Sequence, residues 1–316
     1  MRLLLTAIFF ILPLSVLQAQ QDTGSGMDFL NIPPSPHQLS ISEATSATLT
    51  GSSAIYSNPA LLVLEPKSSV EVNYTLWIAD INNQSATANF LSEEYALGLG
   101  VYSSRSNDFE ARERPGPSQG EFSISYLSVS GAAAYNFGPV SAGITGHFLR
   151  EEVFQLRANG YAVSAGLAGE FLRERIRVGA VLQNLGEMEK LDQVATTLPS
   201  TLRAGISADL LEVTTPGAND LPILLSIHSE WIQPLEDLPS SDYTNNQEND
   251  DFLSIAMSAN IADLIVLRGG KIFGPTDRPF SLGLELNIEP VRLNYAMVPF
   301  STGFGMAHSI GIQYYY

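Results

Sequence analysis

The four histidines, His37, His147, His228 and His308, are the side chains most able to move a proton near neutral pH. They stand far apart along the chain. A catalytic histidine needs a nucleophile and an orienting carboxylate. His147 and Ser141 could face one lumen, but the four histidines stand isolated in the sequence. No G-x-S-x-G, P-loop or H-E-x-x-H occurs, and no G-x-G-x-x-G opens a helix after a strand. The expectation is a protein that is not an enzyme and carries no cofactor. Cysteine is absent, so no disulfide, thiolate metal site or lipidated cysteine is available. Glu248, Asp250 and Asp251 could offer oxygens to calcium or form a solvated acidic loop. A net charge of −17 disfavours nucleic acid as a partner.

Two sets of residues remain as candidates. Asn58-Pro59-Ala60 is either a plug element fixed by the Asn58 side chain or an ordinary Asx-Pro turn. The second set, Glu71, Trp77, Arg177, Arg203, Glu230, Glu285 and Arg292, lies at alternate positions of apolar segments. Such mixed charges could line a polar path or form ion pairs that tie strands together.

The elements carrying them are read from period. From about Ser69 onward, short segments alternate between large apolar and small or polar residues. Val70, Val72, Tyr74 and Leu76 interleave with Glu71, Asn73 and Thr75. Tyr161, Val163, Ala165 and Leu167 interleave with Ala162, Ser164 and Gly166. His308, Ile310, Ile312, Tyr314 and Tyr316 interleave with Ser309, Gly311 and Gln313. About fourteen such strands are expected, centred on Tyr74, Thr87, Leu99, Tyr126, Ile144, Ala165, Ala180, Gly205, Ile227, Ala256, Val266, Leu284, Asn294 and Ile312. Alternation gives each strand two unlike faces. A membrane barrel turns the apolar face to lipid, and a soluble sandwich turns it inward.

The ends favour the barrel. Leu3 to Leu17 is an apolar run of signal-peptide length, followed by small Ala19. The expected division is a signal peptide at 1–19, a strand-poor periplasmic or plug segment at 20–67, and an outer-membrane barrel at 68–316. The prolines around Pro33-Pro34-Ser35-Pro36 disfavour a regular element there. The final strand ends in Tyr314-Tyr315-Tyr316, with Tyr314 and Tyr316 as an assembly signal for the outer-membrane insertion machinery. Connections alternate long and short: Ser104 to Gly120, Asn184 to Ser200, Gln233 to Asp250 and Val298 to Ala307 against tight turns such as Gly138-Pro139 and Glu289-Pro290. With outer loops long and periplasmic turns short, both termini are expected in the periplasm of a Gram-negative bacterium.

Asp28-Phe-Leu-Asn-Ile-Pro33 resembles the opening of the PorV/PorQ outer-membrane family. Ala54-Ile-Tyr-Ser-Asn-Pro-Ala60 is similar to a motif of that family and of the plug in the related FadL superfamily of long-chain fatty-acid transporters. Gly179 to Gly186, Leu198 to Gly205, Leu267 to Gly270 and Asn294 to Phe300 resemble later family strands. Leu61 departs from the pattern, which has glycine after Asn-Pro-Ala, and Leu39 to Ser53 departs from the usual glycine-rich stretch. The resemblance implies an all-β, FadL-like transmembrane antiparallel β-barrel of about 14 strands with a short N-terminal plug. It further implies a type IX secretion component that binds secretion-system proteins or secreted cargo. The alternative is a channel that takes up a hydrophobic ligand and releases it sideways. Outer-membrane lipid is the surrounding partner on either reading.

Overall fold

A computed structural model describes residues 27–110, 121–191, 194–214, 221–235, 251–274, 276–301, 303 and 305–316. The expected signal peptide at 1–19 and most of the two longest connections lie outside these residues. So do Glu248 and Asp250 of the acidic loop.

The strands are β1 Ser69–Leu76, β2 Asn82–Leu91, β3 Tyr95–Glu110 and β4 Glu121–Asn136. They continue as β5 Val140–Val153, β6 Leu156–Phe171 and β7 Ile176–Met188. Lys190–Leu191 (β8) and Val194–Ala195 (β9) form a separate two-stranded ribbon. Then come β10 Thr201–Thr214, β11 Pro222–Pro234, β12 Phe252–Ile261 and β13 Ile265–Phe273. The last are β14 Phe280–Ile288, β15 Val291–Pro299 and β16 Met306–Tyr315. All but β8 and β9 join in one closed antiparallel barrel of fourteen strands. β7 neighbours β10, and β16 returns to β1 from Ser69↔Tyr315 to Leu76↔His308. Every expected strand centre falls within a barrel strand.

The alternation decides the sidedness. In β1, Val70, Val72, Tyr74 and Leu76 point outward, while Ser69, Glu71, Asn73 and Thr75 are buried. Val72 is 63% exposed and its neighbour Glu71 only 2%. A soluble sandwich requires the opposite arrangement, so the outer face is a lipid face. Ring closure leaves no strand edge unpaired in hydrocarbon, where a bare backbone polar group costs several kcal/mol. At the end where the chain enters β1 and leaves β16, here the terminal end, Phe90, Tyr95, Tyr135, Phe137, Phe171, Tyr314 and Tyr316 stand exposed. They form an aromatic belt suited to a membrane interface. Tyr316 packs on Phe90, and its N–H donates to the Ser68 carbonyl across the seam.

Connections at the opposite, distal end are less uniform than the sequence rhythm implies. Only Phe154 and Gln155 link β5 to β6. β3 and β4 run past Ser104 as a paired ribbon with a bulge between Ser106 and Phe109. Polar residues there extend the ladder beyond the apolar belt, so the alternation of large apolar residues does not mark its end.

Residues 27–68 fill the barrel. From Pro34 to Val63 every residue is buried except half-buried Leu49 and Tyr56. The segment holds one short helix, α1 Pro36–Ser40, and 3-10 turns at Asp28–Asn31, Gly51–Tyr56 and Pro59–Val63. The prolines start these elements instead of preventing them. Pro36 and Pro59 sit in the first turn, where the missing N–H has no partner to lose and φ is already set.

The lipid face yields a direct expectation. Val72→Lys, at mid-strand in β1, should lower stability in lipid vesicles by about 2–4 kcal/mol. Urea unfolding of the vesicle-inserted protein measures it, and Asn73→Ser on the opposite face should change far less.

Candidate functional site: the plugged lumen

Asn58 is the centre of the plug. It is wholly buried. Its Nδ2 donates to the Ser46 carbonyl at 2.7 Å and to the Leu167 carbonyl of β6 at 3.1 Å. Its Oδ1 accepts the Ala60 N–H at 3.1 Å and so caps the turn that Pro59 begins. One amide thereby joins two passes of the plug to the wall. Ser141 of β5 donates to the Ala60 carbonyl at 2.8 Å. Gln183 of β7 donates to the carbonyls of Tyr56 (3.0 Å) and Ser57 (2.6 Å).

The wall makes room for this contact by lacking side chains. A Cβ on Gly166 would land on Asn58 Oδ1, and one on Gly179 would land on the Ser46 carbonyl. A Cβ on Gly143 would meet the Pro59–Ala60 backbone at 2.5 Å. These glycines occupy lumen positions of β6, β7 and β5. The alternation displays them in the sequence, but it does not show what they face.

The charged candidates fall into separate groups. Arg203 of β10 contacts Glu230 of β11 at 2.6 Å and Glu43 of the plug at 3.5 Å. Glu230 also accepts the Ser46 N–H at 2.6 Å. Arg278, between β13 and β14, reaches Glu43 at 2.5 Å. Glu285 of β14 takes Arg268 of β13 at 2.6 Å and Arg292 of β15 at 3.1 Å. Arg177 of β7 pairs with Glu170 of β6 near the terminal end. Glu71 accepts the Ser35 hydroxyl at 2.8 Å. Trp77 lies just beyond β1, edge-on to Phe300 and under Arg278. Arg203, Glu230 and Glu71 thus hold the plug, whereas Arg177, Glu285 and Arg292 pair along the wall. Glu43, Arg268 and Arg278 complete these groups and were not singled out by sequence. Glu43 sits in a stretch without period, and Arg278 sits in a connection.

Glu65, between the plug and β1, accepts the Gly51 N–H at 2.6 Å. Burial lifts its carboxyl to about 7, against the pull of that N–H. The folded plug therefore favours the protonated acid. Its contribution is present below the ordinary carboxylate value and is lost as pH rises through about 7.

Three of the four histidine rings, those of His147, His228 and His308, meet hydroxyls. His147 contacts Ser130 at 2.8 Å and Ser164 at 3.1 Å through its two ring nitrogens. His228 contacts Ser207, Thr48 and Ser258. With both ring nitrogens of each so engaged, no carboxylate orients either ring in the manner of a triad. Ser141 is bound to the plug and is not bonded to His147. Among the described residues, no group of three His, Cys, Asp or Glu side chains is placed to hold a metal ion.

Two apolar clusters join plug and wall: Ala96, Ala132, Ala134 and Ala168 pack with Ile55, Leu61 and Leu62 toward the terminal end, and a second lies toward the distal end. Tyr102, Leu149, Ala158, Ala162, Met188 and Leu198 form a buried cluster around Met27 and Phe29 of the plug. The Phe29 ring stacks on Tyr126 (centroids 5.3 Å apart, planes at 11°) and tilts against Tyr102 at 5.2 Å. A cavity of about 30 Å³, the scale of a single water site, adjoins it among Leu30, Pro33, Pro34, Tyr102, Gln183 and Asn184. The wall steps down beside this cluster. The β7–β10 ladder ends at Gln183↔Thr201, while β7 runs on to Met188. A bulge, with Asn184 at φ 57°, marks that point, and the connection to β10 folds over the free edge.

No family model matches the sequence, and no curated protein matches it. Solved structures do match. The CymD monoaromatic hydrocarbon channel is similar with a TM-score of 0.61 and 13% identity, over 90% of this chain and 98% of that one. The Pseudomonas putida toluene transporter TodX gives 0.54 and 12%, over 87% and 95%. A Pseudomonas aeruginosa FadL homologue gives 0.51 and 10%, over 89% and 98%.

Two expectations follow from the plug. Asn58→Ala removes three hydrogen bonds and strands a buried carbonyl, at a cost of about 1–3 kcal/mol. Hydrogen exchange across residues 44–60 should quicken accordingly while the barrel ladders stay protected, and Gly166→Val should give the same pattern. The protection factor of the same segment, with the intrinsic pH dependence of exchange divided out, should also be higher at pH 5 than at pH 8, and Glu65→Gln should flatten that difference.

The identities above are low and the likeness bears on fold, where it is consistent: the chain has the fold of the FadL-type, fourteen-stranded outer-membrane barrel.

Proposed function

We propose that the protein is an outer-membrane channel for small hydrophobic molecules, with both termini at the periplasmic face. The observation that carries this reading is the aromatic apolar pocket at the distal side of the plugged lumen, where Phe29 packs on Tyr102 and Tyr126. A barrel serving only as a structural shell needs no such pocket. A hydrophobic solute would leave water at the distal mouth and gain about 25 cal/mol for each Å² of apolar surface buried there. The step between β7 and β10 lies next to the pocket, and displacement of the connection folded over it would open a side exit toward lipid. The plug, held by discrete hydrogen bonds around Asn58, would close the straight path. The printed names of the similar structures, a monoaromatic hydrocarbon channel and a toluene transporter, support the same class of solute.

The test is uptake of labelled toluene or fatty acid by cells with and without the gene. Faster uptake with the gene is expected, and equal rates would remove the channel reading. Deleting residues 27–66 should change the rate.

A secretion-associated role remains as the second reading. It rests on the PorV/PorQ-like segments Asp28–Pro33 and Ala54–Ala60, both of which engage the lumen wall. On that reading, deleting Gln233 to Asp250 should abolish partner recovery in a pull-down and impair cargo secretion. Intact recovery and secretion would count against it.

A further inference from the structure

We propose that the outward wall of β3 to β6 is, at its distal edge, a binding site for a phosphate-bearing lipid of the outer leaflet. Arg105 and Arg150 are the side chains that hold its phosphates. The inference goes beyond the channel reading and takes from it only that the distal end faces outward.

The strand register locates the site. Residues paired across β2 to β6 form rows around the wall. One outward row reads Ala86, Val101, Val129, Phe148 and Tyr161. It is apolar throughout and ends in two rings 5.5 Å apart. The next outward row toward the distal end reads Gln84, Ser103, Leu127, Arg150 and Asn159. The row beyond it reads Asn82, Arg105, Ser125, Glu152 and Arg157. The outer face thus turns from apolar to polar within one pleat. That marks the level where acyl chains give way to headgroups and an outward arginine is no longer costly.

The change is local. Near the distal ends of β11, β12 and β13 the paired outward residues are Trp231, Leu253 and Phe273. The cation on that side, Lys271, lies over the Phe273 ring at 4.9 Å. A membrane boundary by itself gives no reason to gather three guanidiniums on the β3–β6 arc.

The three are engaged differently. Arg157 is paired with Glu152 at 3.0 Å. Arg105 reaches the Ser123 hydroxyl at 3.5 Å. Arg150 donates through Nε to Asn159 Oδ1 at 3.2 Å and lies over the Phe148 ring at 5.8 Å. That bond uses one of its five N–H donors. Among the described side chains, no carboxylate lies within ion-pair distance of Arg105 or Arg150. The two stand two strands and two residues apart, so about 12 Å separates their Cα atoms. A guanidinium fork binds phosphate oxygens through paired hydrogen bonds, and Ser123 and Ser125 between them add hydroxyl donors. Phe148 and the row it belongs to offer the acyl chains an apolar floor. Carboxylates bound the site: Glu152 within it, and Glu189, which accepts the Asn159 N–H at 3.2 Å. The chain's net charge of −17 works against capture of an anion by long-range attraction, so these local donors must do the selecting.

The test uses the full chain recovered from outer membranes, in detergent micelles. The probe is diphosphoryl lipid A, with phosphatidylethanolamine and inorganic phosphate as controls. Native mass spectrometry should show lipid A retained in preference to phosphatidylethanolamine. Arg105→Gln and Arg150→Gln should each weaken retention about fivefold, and the pair about twenty-five-fold. Arg150→Lys, which keeps the charge without the fork, should fall between. Glu152→Gln, which frees Arg157, should strengthen retention, and Lys271→Gln should leave it unchanged. Full retention by the double variant overturns the inference, as does an equal loss in Lys271→Gln or equal retention of phosphatidylethanolamine. Displacement of the lipid by millimolar inorganic phosphate would assign the patch to free phosphate and also overturn it. Orientation is read separately. The chain has no cysteine, so Gln155→Cys in the distal β5–β6 turn should react with an impermeant maleimide on intact cells. Retention without labelling would put the patch in the inner leaflet and overturn the outer-leaflet lipid as its ligand. Labelling without retention removes the patch and leaves the channel reading standing.

Discussion

The structure depends on how a fourteen-stranded ring is to be filled. A ring of that size encloses more space than its own inward side chains can occupy. The space must hold water, a ligand or another piece of protein. Here the chain supplies the piece, and the wall is shaped to it. Glycines line the lumen where the plug touches, because a Cβ at Gly143, Gly166 or Gly179 would collide with plug backbone or with Asn58, and one at Gly98 or Gly100 would crowd Leu62 or Tyr56. The plug's carbonyls and N–H groups in turn meet serine, glutamine and glutamate of the wall instead of water, while Ile55, Leu61 and Leu62 pack on wall alanines.

This division explains the unusual burial pattern. Large apolar residues are exposed in the ladder and polar ones are enclosed, because lipid and plug have replaced solvent and core. The buried charges follow the same logic. An isolated buried ion is costly, and each one described here meets an opposite charge or a hydrogen-bond donor. Glu43 is held by arginines from two parts of the wall, Arg203 and Arg278. Glu230 links Arg203 to the plug backbone at Ser46. Such contacts fix position more than they add stability, because desolvation offsets much of the attraction.

The barrel was legible in the sequence because it rests on a local signal. Two-residue alternation persists along each strand, and all fourteen expected centres lie in barrel strands. The Asn58 segment was also visible as a candidate, through its Asx-Pro chemistry and its resemblance to plug motifs. Its partners were not, because Leu167, Gly166 and Gly179 are more than a hundred residues away. Period-based reasoning does not carry contact information over such separations. The short 3-10 turns lack any period, and Pro36 signalled a break where it in fact begins a short helix. The distal rim was misjudged for a related reason: β3 and β4 continue where outward side chains no longer need to be apolar. Phe29 was noticed as part of a family-like opening, but nothing in the sequence placed it against Tyr126.

The seam between β1 and β16 has a consequence for biogenesis. β1 is continuous with the plug, and Ser35 and Gly51 of the plug already lie against Glu71 of β1 and Gln313 of β16. Once the Ser68–Tyr316 backbone bond and the ladder behind it have formed, the ring has no side entrance wide enough for thirty folded residues. A plug already in place as the last strand zips shut would need no later passage through the barrel mouth, and it would act as a mandrel around which the barrel is wound.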